Sequence, residues 1–287
     1  MKQVVSARSG PPASGLDPAY ELSETSSDEF SETSPRLVAV RSADLFLVAA
    51  SLPVRHGFTL RQGGVSEGKR ATLDLGTPGD TSLDVQENRS RVARAAGLPP
   101  ERLVLVEQVH GVAVVRAQPG QPAEADAVWT DAPGTWVGIR TADCVPLLLC
   151  SEDGHRVAAV HSGWRGTLGR IARAAVQTLR LAGTPPAQLR AAIGPSIGHC
   201  CYEVAEELAQ RFTEAFGQEV VIPSSPRPHL DLRRAVRRTL EEAGLRPEAI
   251  EDVPGCNACD PSRFFSHRRD RGGTGRHLAF VAPGRLS

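Results

Sequence analysis

The sequence predicts a mixed α/β protein in which strands outnumber helices. Short apolar runs with strand spacing recur along most of the chain, and amphipathic helical patterns interrupt them only at intervals. The helices do not alternate one by one with the strands, so a strict βαβ series is not expected. With 287 residues, 40% hydrophobic and 23% charged, the chain can bury the core of one large domain or two modest ones.

The elements follow in chain order. Apolar runs at 37–40 and 45–48 predict strands, and Ser82 or Asp84 can cap a helix that runs to about Ala96 and ends at Gly97. Further strands are predicted at 103–106, 112–116, 125–130, 135–139, 145–149, 156–160 and 278–281. Apolar residues at helical spacing predict helices from about 167 to 183, from 203 to 216 and from 232 to 243.

The N-terminal segment differs in composition from the rest of the chain. Residues 1–36 hold eight Ser, four Pro and six acidic residues, and few side chains that could fill a core. Such a composition favours disorder. We therefore expect a disordered tail over 1–36 and a single folded domain over 37–287.

Charge and hydropathy exclude several classes of partner. The chain has 33 basic and 33 acidic residues, and a net charge of zero argues against an electrostatic grip on nucleic acid or acidic membranes. No stretch approaches the roughly 18–20 apolar residues of a membrane span. The first ten residues contain no apolar export-signal core, and six Cys are too few for a disulfide scaffold. We expect a cytoplasmic protein with reduced thiols.

Three short segments place reactive side chains just beyond predicted strands. They are Glu107-Gln108-Val109-His110-Gly111, Thr141-Ala142-Asp143-Cys144-Val145-Pro146 and His161-Ser162-Gly163-Trp164-Arg165-Gly166-Thr167. Ligands collect outside strand ends in α/β sheets. His110, Cys144 and His161 could form a zinc site with an open fourth position. Spacing alone equally fits two hydrogen-bonded His and a small buried Cys.

The third segment also predicts an anion site. Gly163 and Gly166 permit a tight turn into a helix that starts near Thr167, and free N–H groups at a helix start favour phosphate. The same glycines also suit a simple turn. Of the 33 basic residues, 31 are Arg, so a single Arg is a weak marker of a site.

A series of motifs runs through residues 37–283 beyond these three segments. It comprises His56-Gly57-Phe58, Arg61-Gln62-Gly63-Gly64-Val65-Ser66, Glu87-Asn88-Arg89, Ala125-Asp126-Ala127, Ile193-Gly194-Pro195-Ser196-Ile197, Cys201-Tyr202-Glu203-Val204, Phe264-Phe265-Ser266, Arg268-Arg269 and Gly273-Thr274-Gly275-Arg276. In content and order, the chain resembles the laccase-domain family. That family is also called YfiH or polyphenol-oxidase-like, and its members are described as purine nucleoside phosphorylases.

The resemblance implies a fold, a metal and an activity. It implies an αββα-layered, mixed-sheet fold of the YfiH type and a zinc site at His110, Cys144 and His161. It also implies phosphorolysis of adenosine, inosine and methylthioadenosine, with adenosine deamination as a further activity. Cu²⁺ could occupy the same three ligands, because it outcompetes Zn²⁺ at N/S sites. The expected partners are a nucleoside and phosphate, in a monomer or homodimer.

Roles follow for residues inside the motifs. Cys144, His161 and Asp143 are the predicted catalytic residues, with Asp143 transferring a proton or orienting a ligating His. Substrate is predicted to bind Arg61, Ser66, Arg165 and Arg268, where an Arg could clamp phosphate bidentately. Two departures from the family pattern could alter substrate preference or packing: Asp74-Leu75 replaces a common Asn-Leu, and Ser266-His267-Arg268-Arg269 replaces Ser-Tyr-Arg-Arg.

The sequence argues against an oxidase and predicts structural roles for the remaining cysteines. A blue-copper site usually adds a long axial Met, and the only Met is Met1. No His-x-His pair occurs, which argues against a multicopper laccase. Cys150 is expected in the core. Cys256 and Cys259 form a Cys-x-x-Cys pair that by itself fits a redox pair, half of a zinc site or a coincidence. Cys200 and Cys201 are candidates to complete it, but adjacent residues rarely bind one ion, so packing is expected for all four.

Two alternatives use the same segments differently. Cys144 could be a thiolate nucleophile activated by His161 or His110, which would give a Cys-His hydrolase or amidase acting in peptidoglycan-precursor editing. The second alternative is a non-catalytic protein that binds a metal or docks to a partner. Near-stoichiometric zinc and chelator sensitivity favour the phosphorylase, whereas alkylation sensitivity of an active metal-free enzyme favours the amidase.

Overall fold

The strands of the protein form three sheets. The computed structural model describes residues 45–121 and 123–286, so the predicted tail over 1–36 and the strand over 37–40 lie outside the described residues. The strands are β1 (Phe46–Leu47), β2 (Val54–Thr59), β3 (Leu103–Leu105), β4 (Val114–Arg116), β5 (Ala127–Thr130), β6 (Trp136–Thr141), β7 (Val145–Ser151), β8 (Val157–Ser162), β9 (Leu189–Ile193), β10 (Val221–Ile222), β11 (His229–Leu230), β12 (Ile250–Asp252) and β13 (His277–Arg285).

Two of these sheets are large, and both mix parallel and antiparallel pairs. A five-stranded sheet has the order β1-β2-β13-β6-β3, and a six-stranded sheet has the order β12-β9-β7-β8-β5-β4. Strands β10 and β11 form a separate hairpin. The described residues also form five α-helices, besides short 3₁₀ turns: α1 (Leu83–Ala96), α2 (Trp164–Leu168), α3 (Ile171–Leu181), α4 (Glu206–Phe216) and α5 (Leu232–Glu242).

The alternation of side chains along the strands produces the layers. In β7, Leu148 and Cys150 face the five-stranded sheet and pack with residues such as Val137 and Ile139 of β6. Leu147 and Leu149 point the other way, into a core that α3, α4 and α5 cover. Because successive strand residues face opposite sides, one strand supplies two cores.

The five-stranded sheet repeats this arrangement on its outer face. Leu278 and Phe280 of β13 pack with Trp136 and with Val92 and Ala93 of α1. The order of layers is therefore helix, sheet, sheet, helix, which confirms the predicted αββα-layered, mixed-sheet single domain. None of the helices in residues 45–121 and 123–286 combines the length and apolar character needed to cross a membrane.

Most predicted elements are present, with one error next to the site. Helix α1 ends at Ala96, and Gly97 follows in the left-handed conformation (φ 64°). The helix predicted to start near Thr167 begins instead at Trp164, with Gly163 at its N-terminus. Arg170, at φ 63°, then separates α2 from α3. Gly166 lies inside α2 rather than in a turn, so the prediction of the helix start was wrong.

The sheets bring the three reactive segments to one edge. The chain crosses from the five-stranded to the six-stranded sheet between β6 and β7, and Cys144 lies in that crossing. His161 lies near the end of β8, opposite Pro146 of β7. His110 lies in the connection from β3 to β4. The three segments therefore meet where strand ends from both sheets come together.

Candidate active site

His110, Cys144 and His161 converge as the sequence predicts. Their donor atoms all lie within 4.8 Å of one another, and the two imidazole centroids are 4.9 Å apart with an interplanar angle of 80°. His161 is buried, Cys144 is half-buried and His110 is exposed. The cluster is thus open to solvent on one side.

Asp126 holds the two histidines in place. Its Oδ1 accepts hydrogen bonds from His161 Nδ1 (2.7 Å) and the His110 N–H (3.0 Å), and its Oδ2 accepts from the Gly111 N–H (2.6 Å). The carboxylate is fully buried. Because Asp126 accepts the Nδ1–H of His161, the Nε2 atom of that ring is the one available to the cluster. Sequence analysis placed Asp126 in a motif but assigned it no role.

Backbone conformation also shapes the cluster. His110 has φ 61° and Asp143 has φ 94°, a region that residues other than Gly rarely occupy. A Cβ on Gly163 would lie 3.0 Å from Cys144 Sγ and 3.1 Å from His110 Cδ2. Close packing against Cys144 and His110, rather than a turn, therefore favours glycine here, since its own φ of −76° suits any residue.

Electrostatic coupling favours a thiolate next to an imidazolium. Burial would raise the pKa of Cys144, but the charge on His161 and hydrogen bonds from both imidazoles outweigh it and lower that pKa to about 6. Burial alone would lower the pKa of His161, whereas Cys144 and Asp126 raise it to about 9. Burial also opposes the ionisation of Asp126, yet hydrogen bonds from His161 and Gly111 lower its pKa.

The donor set suits a metal ion. The Cys144 sulfur and a ring nitrogen of each imidazole all lie within 4.8 Å of one another, close enough for one cation to contact all three. Two imidazole nitrogens and one thiolate leave an open position on a tetrahedral ion, the usual arrangement of catalytic zinc. These residues could therefore bind a metal ion, and they fit zinc or copper by ligand type.

A cleft of about 390 Å³ adjoins the cluster, within the size range of small-molecule sites. Its walls come from the connection between β2 and α1, the connection between β3 and β4, the segments around β6 and β7, the end of β8, the loop after β9 and the segment before β13. The lining residues include Gly76, Thr77, Gln108, Arg140, Asp143, Tyr202, His267, Arg268 and Arg276.

Asp143 projects into this cleft with an unused acceptor. Its Oδ2 accepts the Arg268 N–H at 2.6 Å, whereas its buried Oδ1 has no partner within residues 45–121 and 123–286. Burial is the main cause that raises the pKa of this carboxyl. Asp143 does not hydrogen-bond to a cluster His; Asp126 has that position.

The residues predicted to bind substrate divide into two groups. Arg268 lines the cleft, stacks over Tyr202 at 5.1 Å and donates to the Glu203 carbonyl. Arg61, Ser66 and Arg165 do not line it. Arg61 binds the Ala71 and Pro261 carbonyls, Ser66 Oγ accepts from Asn88, and exposed Arg165 stacks over Trp164.

Arg140 and Arg276 line the cleft and were not predicted. Arg140 is 7% exposed and donates to the Val106 carbonyl, while its Nε has no partner in the described part of the chain. Burial, with repulsion from Arg89 and Arg276, lowers the pKa of Arg140 to about 10. Its position just before Thr141-Ala142-Asp143-Cys144 was an available signal, but the Arg-rich composition obscured it.

The two departures from the family pattern lie at or near the cleft. Asp74 is buried and its Oδ1 accepts the N–H groups of Arg276 (2.8 Å) and Gly76 (3.0 Å). It therefore holds two segments of the cleft wall. His267 is exposed and lines the cleft directly.

Comparison with known proteins agrees with this geometry. The family described as multi-copper polyphenol oxidoreductase laccase matches residues 55–283. A purine nucleoside phosphorylase of Deinococcus radiodurans is 42% identical over 236 residues, which cover 82% of this chain and 91% of that protein. An adenosine deaminase, RL5, from an unknown prokaryotic organism is 37% identical over 206 residues, covering 67% and 79%.

Solved structures show the same fold. YfiH of Bacillus licheniformis superimposes with a TM-score of 0.79 at 30% identity, covering 84% of this chain and 97% of that one. YlmD of Geobacillus stearothermophilus gives 0.76 at 34% identity, covering 84% and 99%. With its motifs, layered fold and His-Cys-His cluster, the chain belongs to the laccase-domain family, whose relatives compared here include proteins named purine nucleoside phosphorylase and adenosine deaminase.

Proposed function

We propose that this protein is a zinc-dependent purine nucleoside phosphorylase that also deaminates adenosine. One observation carries the proposal: a single cleft joins a three-donor metal cluster to a buried arginine whose Nε has no partner among the described residues. Arginines on one part of the cleft suit phosphate, and a metal site on another part suits the purine, so the cleft can hold both substrates together. The names of the relatives support the same reaction.

Phosphorolysis needs phosphate held in line with the sugar carbon. A phosphate oxygen bonds to C1′ while the bond from C1′ to the purine nitrogen breaks, and the purine leaves with the electron pair and takes up a proton. We assign phosphate binding to Arg140, Arg276 and Arg268, because all three line the cleft. Asp143 is assigned proton transfer to the leaving purine, since it lines that cleft and burial raises the pKa of its carboxyl.

The metal cluster is assigned to the purine end of the cleft. When bound by His110, Cys144 and His161, zinc supplies Lewis-acid chemistry that activates water for attack on the carbon bearing the amino group. Asp126 fixes the tautomer of His161 and the position of His110. Adenosine, inosine and methylthioadenosine are the proposed substrates; the cytoplasmic location and the oligomeric state, monomer or homodimer, stay predictions.

Product analysis tests the proposal directly. The purified chain is incubated with adenosine, with and without phosphate. Phosphate-dependent adenine with ribose 1-phosphate is expected, together with inosine that forms without phosphate. Methylthioadenosine is expected to give adenine only when phosphate is present. Absence of all these products from metal-replete protein would overturn the proposal.

Paired variants separate the metal from the alternative chemistry. His161→Ala is expected to lose the zinc ion of the cleft and both activities, whereas His155→Ala, at an exposed turn residue, keeps them. The donor atoms of Cys144 and His161 lie within 4.8 Å of each other, and the imidazole lowers the pKa of the thiol, as a Cys-His amidase would need. Turnover by metal-stripped protein that alkylation then abolishes would favour the amidase over the phosphorylase.

A second pair tests the phosphate assignment. Arg140→Met is expected to raise KM for phosphate at least tenfold and to leave phosphate-independent inosine formation intact. Arg165→Met serves as the matched control, because Arg165 does not line the cleft. If Arg165→Met instead carries the phosphate defect, the arginine assignment is wrong and the sequence-based choice of Arg165 is right.

A further inference from the structure

A second group of metal-binding side chains lies outside the cleft. The donor atoms of Cys200, Cys201, Cys256 and Cys259 all lie within 4.8 Å of one another, and all four are free thiols. Cys200 and Cys259 are exposed, and the other two are half-buried. The expectation that these residues serve core packing is therefore wrong for the exposed pair, and Cys150 alone among the six is buried.

Sheet topology explains how two distant segments meet. Strands β9 and β12 are parallel neighbours, with Ala191 opposite Ile250 and Ile193 opposite Asp252. The chain therefore leaves both strands at the same edge of the sheet. The pairing continues beyond the strands, since Ser196 bridges to Cys256 and the Asn257 N–H donates to the Ser196 carbonyl at 3.0 Å.

The local turns direct the four sulfurs to a common point. The N–H groups of Cys201 and Tyr202 both donate to the Gly198 carbonyl at 3.0 Å, which folds the adjacent pair into a turn. Cys200 Sγ and Cys201 Sγ then lie 3.3 Å and 3.2 Å from Cys259 Sγ. The sulfurs of two adjacent cysteines can thus approach the same point, so the expectation that adjacent residues rarely bind one ion does not hold here.

The dimensions match a tetrathiolate site. Four sulfurs at the zinc–sulfur distance of about 2.3 Å from a tetrahedral ion stand about 3.8 Å apart. The observed separations, from 3.2 Å to at most 4.8 Å, bracket that value. The Gly198 N–H also donates to Cys256 Sγ at 3.2 Å, a contact that favours the thiolate form of a ligand.

We propose that Cys200, Cys201, Cys256 and Cys259 bind a structural Zn²⁺ ion. Four protein ligands complete a tetrahedral shell and leave no position for substrate, unlike the three-donor cluster of the cleft. Four thiolates so close together repel one another strongly, and a divalent cation offsets that repulsion. The site requires nothing of the reaction proposed for the cleft.

The ion would stabilise a wall of the cleft. Tyr202 follows Cys201 directly, lines the cleft and stacks with Arg268. On the other segment, the Asp260 N–H donates to the Cys256 carbonyl, and the Phe264 N–H donates to the Asp260 carbonyl. One ion therefore joins the two segments that precede Tyr202 and the His267-Arg268 pair.

Metal content measures the site without reference to activity. Protein purified under reducing conditions and equilibrated with Zn²⁺, then freed of loose metal, is expected to hold two zinc ions per chain. Cys259→Ser is expected to hold one and to unfold at a lower temperature, whereas Cys150→Ala, the matched change at the buried cysteine, keeps two. His161→Ala is expected to lose the other ion only, and the double variant to hold none.

Cobalt spectroscopy covers the case in which Cys259→Ser fails to fold. Wild-type protein loaded with Co²⁺ is expected to show the visible bands and sulfur-to-metal charge transfer of a tetrathiolate ion, and these bands persist in His161→Ala. A single zinc per wild-type chain that His161→Ala abolishes and Cys259→Ser leaves in place overturns the proposal. So does a protein mass lower by two hydrogens for each disulfide among these cysteines, because a disulfide removes two of the ligands.

Discussion

Replacing Asp126 by Asn is expected to weaken metal binding without unfolding the protein. The carboxylate accepts from two donors on each oxygen: His161 Nδ1 and the His110 N–H on Oδ1, and the Gly111 and Val109 N–H groups on Oδ2. An amide has one oxygen, so one pair of donors loses its acceptor and faces an N–H instead.

The magnitude follows from those contacts. A hydrogen bond to a charged group contributes about 1.5–3 kcal/mol, and a neutral one about 1 kcal/mol. Losing the short bond to Gly111 and weakening those to His110 and His161 should cost roughly 3 kcal/mol. The weakened hydrogen bonds are those that hold the loop carrying His110 and those that orient the ring of His161. Loss of such a hydrogen-bonding partner typically lowers metal affinity about 10–100-fold, or about 1.4–2.8 kcal/mol.

Competition with a chromophoric chelator measures the zinc affinity, and urea unfolding of the metal-free protein measures the stability. Asp131→Asn is the matched control: the same chemical change removes an exposed ion pair with Arg116, which contributes little. The reasoning about Asp126 fails if Asp126→Asn binds zinc as tightly as Asp131→Asn while both unfold at the wild-type urea concentration.

Three further predictions rest on single contacts. Gly163→Ala should lower zinc occupancy while leaving the fold intact, because the new Cβ meets Cys144 Sγ at 3.0 Å; full occupancy by metal analysis would contradict it. Asp74→Asn should change unfolding free energy by less than about 0.5 kcal/mol, since Oδ1 alone accepts the N–H of Arg276 and the ion pair of Oδ2 with the exposed Arg70 is long, at 3.5 Å, and weak; a larger loss in urea would show that the second oxygen matters. Burial lowers the pKa of His277 from 6.5 to about 3, and its Nε2 accepts the Phe265 N–H. Below pH 6.5 the unfolded chain therefore binds a proton at His277 that the folded chain does not bind. The free energy of unfolding is unaffected by protonation of this residue above pH 6.5 and falls by about 1.4 kcal/mol per pH unit below that pH. His277→Gln should flatten the wild-type pH dependence of urea unfolding between pH 6.5 and 4, and an unchanged slope would refute the assignment.

The sequence pattern correctly predicted the helices and strands whose signals lie within a short stretch of chain. The helix ending at Gly97 and the strands β7 and β8 lie close to their predicted bounds, because a glycine stop and a continuous apolar run are read within one window of sequence. Strands β9 and β12 were missed. They are short, and β9 is a strand because it pairs with β7 on one side and β12 on the other.

The residues of the site likewise fall into those that motifs predicted and those that only the structure revealed. Motifs identified His110, Cys144 and His161 through resemblance to a family, and the structure brings their donor atoms together. Arg140 and the role of Asp126 were missed. A buried guanidinium with an unpaired Nε, or a carboxylate that accepts from three successive N–H groups, is visible only once distant segments are packed.

The sequence by itself determined the mixed α/β class, the three ligand segments and membership of a family. Those features depend on near neighbours along the chain or on motifs of a few residues. The tertiary structure decided which residues share a site: Asp126 with His161, Arg140 with the cleft, and Cys200 and Cys201 with Cys256 and Cys259. The reason is physical, because strand pairing and the stacking of two sheets bring together residues far apart in sequence, and no local pattern encodes which strand ends will be neighbours.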